Sequence, residues 1–219
     1  MLSLKPLGER AWLVQFADPD AASRWAIAAR RAEVPGLVDV VVADVFVSVH
    51  LNFEVEPEPV EEAIRAVEAL EFDPEGKSSG RLIPIPVLYD GADLAEVADR
   101  LELGVDRLIQ IHSESTYRVL AVGFQPGFPY AGPLPPPLDR VPRRPEPRPR
   151  VPAGSVAIAA GRTGIYPAEL PGGWNLLGRT PLATVDLARG HFPIRAGDTL
   201  AFRPIDRGEF ESLVGEVLQ

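Results

Sequence analysis

The residues best suited to chemistry in this chain crowd between positions 123 and 181. Phe124, Gln125, Phe128, Tyr130, Thr163, Tyr166, Trp174, Asn175, Arg179 and Thr180 sit among prolines and glycines in the motifs GFQPGFPY (123–130), RPEPRPRVPAGSVAIA (144–159), GRTGIYP (161–167) and PGGWNLLGRTP (171–181). Rigid turns carrying flat rings and hydrogen-bonding groups are what a ligand or partner surface needs. Arg143, Arg144 and Arg148 alternate with proline, which predicts a stiff, extended, polyproline-like strip. Its guanidinium groups suit a two-pronged grip on carboxylate or phosphate; a solvated arm paired with acidic neighbours is the equal alternative. Glycine turns can offer N–H nests to anions, Thr163 and Thr180 can donate hydroxyls, and Tyr166 and Trp174 can wall a pocket. The plainer reading is that Pro and Gly shape the corners of a β domain whose core the aromatics fill.

No residue outside this stretch makes a stronger claim, and no catalytic residue is assigned. Ser155 lacks the GxSxG elbow, and Asp186 and Asp198 have no context that marks a general base. His50, His112 and His191 lie far apart without HExxH spacing, and there is no cysteine, so no metal site is expected. The GKS at 76–78 lacks a P-loop's first glycine, because position 71 is Glu71, and a helix is expected where the preceding strand should be. The net charge of −9 argues against nucleic acid and anionic membranes as partners. With no basic leader before an apolar run and no window long enough to span a bilayer, a cytoplasmic protein is expected.

The elements that must position these residues fall into two parts. In the first, a strand over 12–16 leads into an Ala-rich helix over about 21–33, capped by Asp18 or Asp20 and anchored by Trp25. Strands over 38–42 and 45–51 follow, joined tightly at Ala43 and Asp44, with Val45, Val47, Val49 and Leu51 on one face. A second helix starts near 57–59 and carries the stripe Val60, Ala63, Ile64, Val67 and Leu70. The order β-α-β-β-α predicts a split βαβ, ferredoxin-like module. The turn-rich run 73–80 marks a boundary between domains at 1–76 and 81–219.

In the second part, Pro84 and Pro86 confine the segment 82–89 to an edge strand. Asp93-x-x-Glu96 reads as a capping box ahead of a helix buried through Leu94, Val97, Ala98 and Leu101. A helix over about 105–112 puts His112 at its C-terminal end, where the dipole favours imidazolium and a cap or core role outweighs catalysis. Strands are expected over 117–122, 155–160, 165–166 and 199–203, and a closing helix over 206–217. Many short strands with few helices predict a barrel or sandwich.

GFQPGFPY, PRVPAGSVAIA, TGIYP, PGGWNLLGRTP, AGDTLAFRPI (196–205) and IPVLYDGADLAEVA (85–98) together resemble the family of bacterial 5-oxoprolinase B subunits, also called allophanate hydrolase subunit 1, which includes the histidine-kinase inhibitor KipI. The likeness covers about 81–205. Arg162 stands where the family usually has Gln, and VVVADVFVSVH (40–50) stands where a Tyr-Arg-Ser-Leu-like strand is usual. The resemblance implies an α+β chain made of a ferredoxin-like N-terminal module and a cyclophilin-like β-barrel, similar when paired with its C subunit to a urea-carboxylase carboxyltransferase domain. It implies action with A and C subunits in the ATP-dependent opening of 5-oxo-L-proline to L-glutamate, with ATP and magnesium bound only in the assembled complex and the chain inactive alone. In that setting Arg148, Arg150 and Arg179 orient carboxylate or phosphate. Thr163 and Tyr166 hydrogen-bond substrate, Phe124, Phe128 and Trp174 shape the wall, and Gln125 and Thr180 complete the site. The alternative is a KipI-like protein that docks on a sensor histidine kinase and blocks autophosphorylation. A prolyl isomerase has only the barrel analogy behind it, and no Phe-His-Arg signature is present.

Overall fold

A computed structural model describes residues 4–32, 34, 36–52, 65–66, 69 and 80–219. Contacts divide the chain into two compact units, Met1–Ser79 and Gly80–Gln219. Most of the expected helix starting near 57–59 and most of the 73–80 run, with its GKS, lie outside the described residues.

In the first unit β1 (Leu4–Pro6), β2 (Ala11–Gln15), β3 (Leu37–Ala43) and β4 (Phe46–Leu51) form antiparallel pairs in the order β1-β2-β4-β3. Alternation sets the buried face, since Val47, Val49 and Leu51 point inward while Phe46, Ser48 and His50 do not. The tight turn between β3 and β4 holds Asp44 at φ 59°, a left-handed conformation that Asp tolerates better than most residues. Helix α1 (Pro19–Arg31) begins where Asp18 Oδ1 accepts the Ala21 N–H at 2.8 Å, with Pro19 supplying a preset φ in the first turn. Its alanines let it approach the sheet closely, and Trp25 is fully buried against Phe16, ring centroids 5.6 Å apart.

The second unit is mostly sheet. β5 (Leu82–Val87) pairs in parallel with β13 (Thr199–Pro204), and β13 pairs antiparallel with β6 (Thr116–Val122). From β6 the order continues through β7 (Pro129–Gly132), β10 (Arg162–Ile165), β9 (Ser155–Ala159) and β12 (Asn175–Arg179). Leu88 and Arg179 then exchange backbone hydrogen bonds, both 2.9 Å, so the path returns from β12 to the end of β5 and closes. Pro84 and Pro86 fit because β5 has β13 as its only ladder partner among the described strands, so the missing N–H groups are not needed. Inside lie Ile85, Val87, Leu108, Tyr117, Ile158, Ile165, Leu177, Leu200 and Phe202. Asp198 pins the entrance to β13 and β5 by accepting the N–H groups of Arg195 and Arg81, each at 2.9 Å.

Helices α2 (Leu94–Arg100) and α3 (Val105–Glu114) pack on this sheet, and a two-stranded ribbon of β8 (Arg148–Val151) and β11 (Leu170–Gly172) projects from it. Four expectations are corrected. Asp93 occupies the cap position of α2, but its side chain makes no cap bond. The arginine strip is not polyproline-like throughout, because residues 148–150 belong to strand β8. Expected strand 165–166 ends one residue earlier, as β10. The closing helix is only α4 (Arg207–Leu213), capped by Asp206 on the Glu209 N–H at 2.8 Å; beyond it Gly215 turns at φ 91° and Val217 bridges to Ala183.

For His112 the core role holds, and the expected imidazolium is corrected. It is wholly buried, stacked against both Tyr117 and Phe202 at 5.2 and 4.6 Å, and burial pushes its pKa down to about 3, so the imidazole is neutral. Thr163 Oγ1 donates to the Ala157 carbonyl at 3.2 Å and therefore accepts from His112 Nε2–H at 3.1 Å; Nδ1 accepts from the Tyr89 hydroxyl at 2.7 Å. Desolvation outweighs the helix dipole here.

Candidate functional site

The loop from β6 to β7, strand β7 itself, the end of β10 and the turn before β12 bring five aromatic rings together in the second unit. Phe128 is the hub. Its ring centroid lies 5.9 Å from Phe124, 5.0 Å from Tyr130, 5.2 Å from Tyr166 and 5.5 Å from Trp174, and three of these contacts are edge-to-face. Tyr130 and Trp174 close the circle at 5.7 Å. The loop is shaped by its own backbone, with the Gly123 N–H on the Phe128 carbonyl and the Phe128 N–H on the Gln125 carbonyl. Phe124 stands at φ 68° and 65% exposed. A bulky residue in a left-handed conformation with an uncovered ring is a local cost that the fold must hold in place.

These rings wall a cavity of about 310 Å³. Arg143, Arg144 and Pro147 form one rim, and Pro171, Gly172 and Gly173 form another. Glycine is required at 172, since a Cβ there would lie 2.1 Å from the Tyr166 hydroxyl. Burial pushes the phenols of Tyr130 and Tyr166 upward; Arg143 pulls Tyr130 back, and the Trp174 backbone N–H, Arg143 and Arg148 lower Tyr166. Both phenols are therefore neutral hydrogen-bonders at ordinary pH.

Behind the rim sits Asp93, 2% exposed. Its Oδ1 accepts from Arg144 Nη1 and Arg148 Nη2, each at 2.7 Å, and its Oδ2 accepts the Leu176 N–H at 2.7 Å. Glu96 adds a second, longer contact to Arg144 at 3.4 Å. Charge-assisted bonds of this length around a buried carboxylate fix both guanidinium groups and tie α2 to the ribbon and to β12.

Of the residues expected at a site, Phe124, Phe128, Tyr130, Tyr166 and Trp174 converge on the cavity, and Arg143 and Arg144 of the arginine strip line it. The others stand outside its lining. Gln125 lies half-buried in the same loop, and Arg148 is folded onto Asp93. Arg150 is exposed and faces Glu169 at 3.6 Å, while Thr163 is buried against His112. Arg179 is held by Asp90 in a two-pronged contact with bonds of 2.8–3.1 Å and lies 4.6 Å from the Phe210 ring centroid. Thr180 is buried and accepts the Leu182 N–H. Asp93 was not singled out as a site residue, and its D-x-x-E spacing pointed to a cap instead.

The arrangement can seat a small flat ring and present cationic and phenolic donors to it. Among the described residues, no group of three or more His, Asp or Glu side chains is placed to hold a metal ion. The lining of the cavity carries no carboxylate, and the oxygens of Asp93 behind it are committed to three donors, so its donor set does not suit a magnesium–nucleotide pair. No helix among the described residues is long and apolar enough to cross a membrane.

A sheet-rich α/β chain with such a cavity has clear relatives. Residues 2–193 match the family described as carboxyltransferase domain, subdomain C and D, and the chain belongs to that family. It is 39% identical to the protein of Escherichia coli O157:H7 named as the B subunit of 5-oxoprolinase, across 92% of this chain and 95% of that protein. The crystal structure of TTHA0988 superimposes with a TM-score of 0.79 at 38% identity over 90% of this chain, which spans only 40% of the TTHA0988 chain. The urea amidolyase of K. lactis shares the fold alone, with a TM-score of 0.71 at 18% identity over 16% of its length.

Proposed function

We propose that this chain is the B subunit of an ATP-dependent 5-oxoprolinase, acting with A and C subunits to open 5-oxo-L-proline to L-glutamate. The observation that carries this reading is the end-to-end likeness to a protein of that name, 39% identical over 95% of its length. The cavity agrees with it in shape and chemistry. A five-membered lactam is small and nearly flat, and the walls of Phe128, Tyr130, Tyr166 and Trp174 offer it apolar faces with phenolic donors at the edge. Opening the ring breaks the amide C–N bond and adds the elements of water, and in this reading ATP hydrolysis drives the step.

This chain's own residues bind and orient the ring and exclude water from its faces; none is assigned as nucleophile. Nucleotide and magnesium bind where a companion subunit contributes, which leaves the isolated chain inactive. That TTHA0988 carries the same fold as 40% of a longer chain supports a unit that works joined to further protein. We also read residues 1–76 as a ferredoxin-like module, 81–219 as a cyclophilin-like barrel, and the complex as cytoplasmic. Nothing among the named relatives favours the kinase-inhibiting alternative.

The test is reconstitution with the A and C subunits, followed by measurement of 5-oxoproline-dependent ATP hydrolysis and glutamate release. Activity that requires all three chains is expected. Full activity without this chain, or none with all three, overturns the proposal.

A further inference from the structure

Three cations stand beside the aromatic cavity, and their circumstances differ. Arg144 and Arg148 each lie 2.7 Å from Asp93, and Arg144 also meets Glu96, so their charge is answered from behind. Arg143 is exposed and lines the cavity. Among the described residues, no carboxylate lies within ion-pair distance of it. Its charge reaches the two phenols of the wall instead.

Its backbone is nevertheless fixed on both sides. The Pro142 carbonyl accepts from Asn175 Nδ2 at 2.8 Å, and the Arg144 N–H donates to the Gly173 carbonyl at 2.8 Å. In a chain with a net charge of −9, a cation anchored at a cavity mouth and left without a carboxylate is set to receive one from a ligand.

We infer that Arg143 is the specificity-determining residue of this cavity: a small flat ring bearing a carboxylate seats between the aromatic walls with that carboxylate on the Arg143 guanidinium, and the same ring without the charge binds less tightly. The inference rests on the reading of the cavity as a ligand site. It assigns discrimination to Arg143, because the walls meet charged and uncharged rings alike and the other two arginines are already paired with Asp93 and Glu96.

The test is calorimetric titration of the full chain with 5-oxo-L-proline, cyclopentanecarboxylate and benzoate, set against pyrrolidin-2-one, cyclopentanecarboxamide and benzamide. The ring carboxylates should bind about tenfold or more tightly than their uncharged counterparts. Arg143→Gln should erase that difference while leaving the uncharged rings unchanged, Arg143→Lys should keep part of it as a point charge, and Arg107→Gln on the surface of α3 should change nothing. Melting temperatures confirm that each variant is folded. Equal binding of both sets by the unaltered chain, carboxylate binding undiminished in Arg143→Gln, or no binding of any carboxylate overturns the inference. Arg143-dependent binding of cyclopentanecarboxylate or benzoate without binding of 5-oxo-L-proline sustains the inference and counts against the proposed substrate. An unchanged KM for Arg143→Gln in an active three-subunit complex does the reverse.

Discussion

Removing the Asp93 carboxylate tests how the cavity rim is held. In Asp93→Ala the Arg148 guanidinium and the Leu176 N–H lose their acceptor, and Arg144 keeps only its longer contact to Glu96. Deleting one partner of a buried ion pair costs about 3–5 kcal/mol, and a stranded N–H adds about 1–3 kcal/mol. Both arginine side chains stay 26% exposed, so water recovers part of that loss. The expected net is about 3 kcal/mol, which for a unit of this size lowers Tm by about 10 °C. Asp93→Asn keeps an acceptor for Leu176 and should cost about 1–2 kcal/mol. Urea unfolding in a Trp12→Phe, Trp25→Phe background leaves Trp174 as the only indole, so fluorescence reports the second unit. Adding Arg144→Met and Arg148→Met to Asp93→Ala removes the stranded charges and should return at least about 1 kcal/mol. A loss below about 1 kcal/mol in Asp93→Ala, or no recovery in the triple variant, refutes the argument that this carboxylate holds the rim.

Burial holds His112 at a pKa of about 3 against an ordinary value near 6.5, so the unfolded chain takes up a proton that the folded chain refuses. Stability from this group is complete above about pH 6.5 and declines by about 1.4 kcal/mol per pH unit down to about pH 3; denaturant titrations at pH 7 and pH 5 should differ by about 2 kcal/mol more in the parent than in His112→Phe. Gly172→Ala drives a methyl into the Tyr166 hydroxyl, so ligand binding should weaken more than tenfold while the unit stays folded; unchanged affinity by calorimetry would count against the cavity as drawn. Arg179→Ala breaks an ion pair whose arginine is 45% exposed, and it should cost under about 1 kcal/mol by thermal melting and leave turnover of the reconstituted complex intact.

Local signals in the sequence foretold local structure well. Asp18 ahead of an alanine-rich stripe around Trp25 gave the first helix its start and its buried face, and alternating valines gave β4 its inward side. Phe124, Phe128, Tyr166 and Trp174 were recognisable as a wall because Pro and Gly around them excluded regular helix. What escaped depends on partners far away in the chain. Asp93 has the spacing of a cap, and only folding reveals arginines 51 and 55 positions later as its partners. The same distance effect moved Thr163, whose motif suggested substrate contact, onto a histidine buried for reasons of packing. Arg143 and Arg144 are neighbours of identical type, and the sequence offers no way to see that one is neutralised and the other is not.

The placement of β13 bears on how the molecule is made. This late segment is not an edge added to a finished sheet: it lies between β5 and β6, pairing Leu82–Val87 on one side and Thr116–Arg118 on the other. Until residues 199–204 are available, β5 has no ladder to join, and the 88–179 bridge has nothing to brace it from the other side. Contacts this remote in sequence slow folding and leave β edges exposed while the chain waits. The first unit can order itself as it is synthesised, whereas the second must complete its core in one late, concerted step. A truncation that reaches β13 should therefore yield aggregation instead of a smaller folded protein.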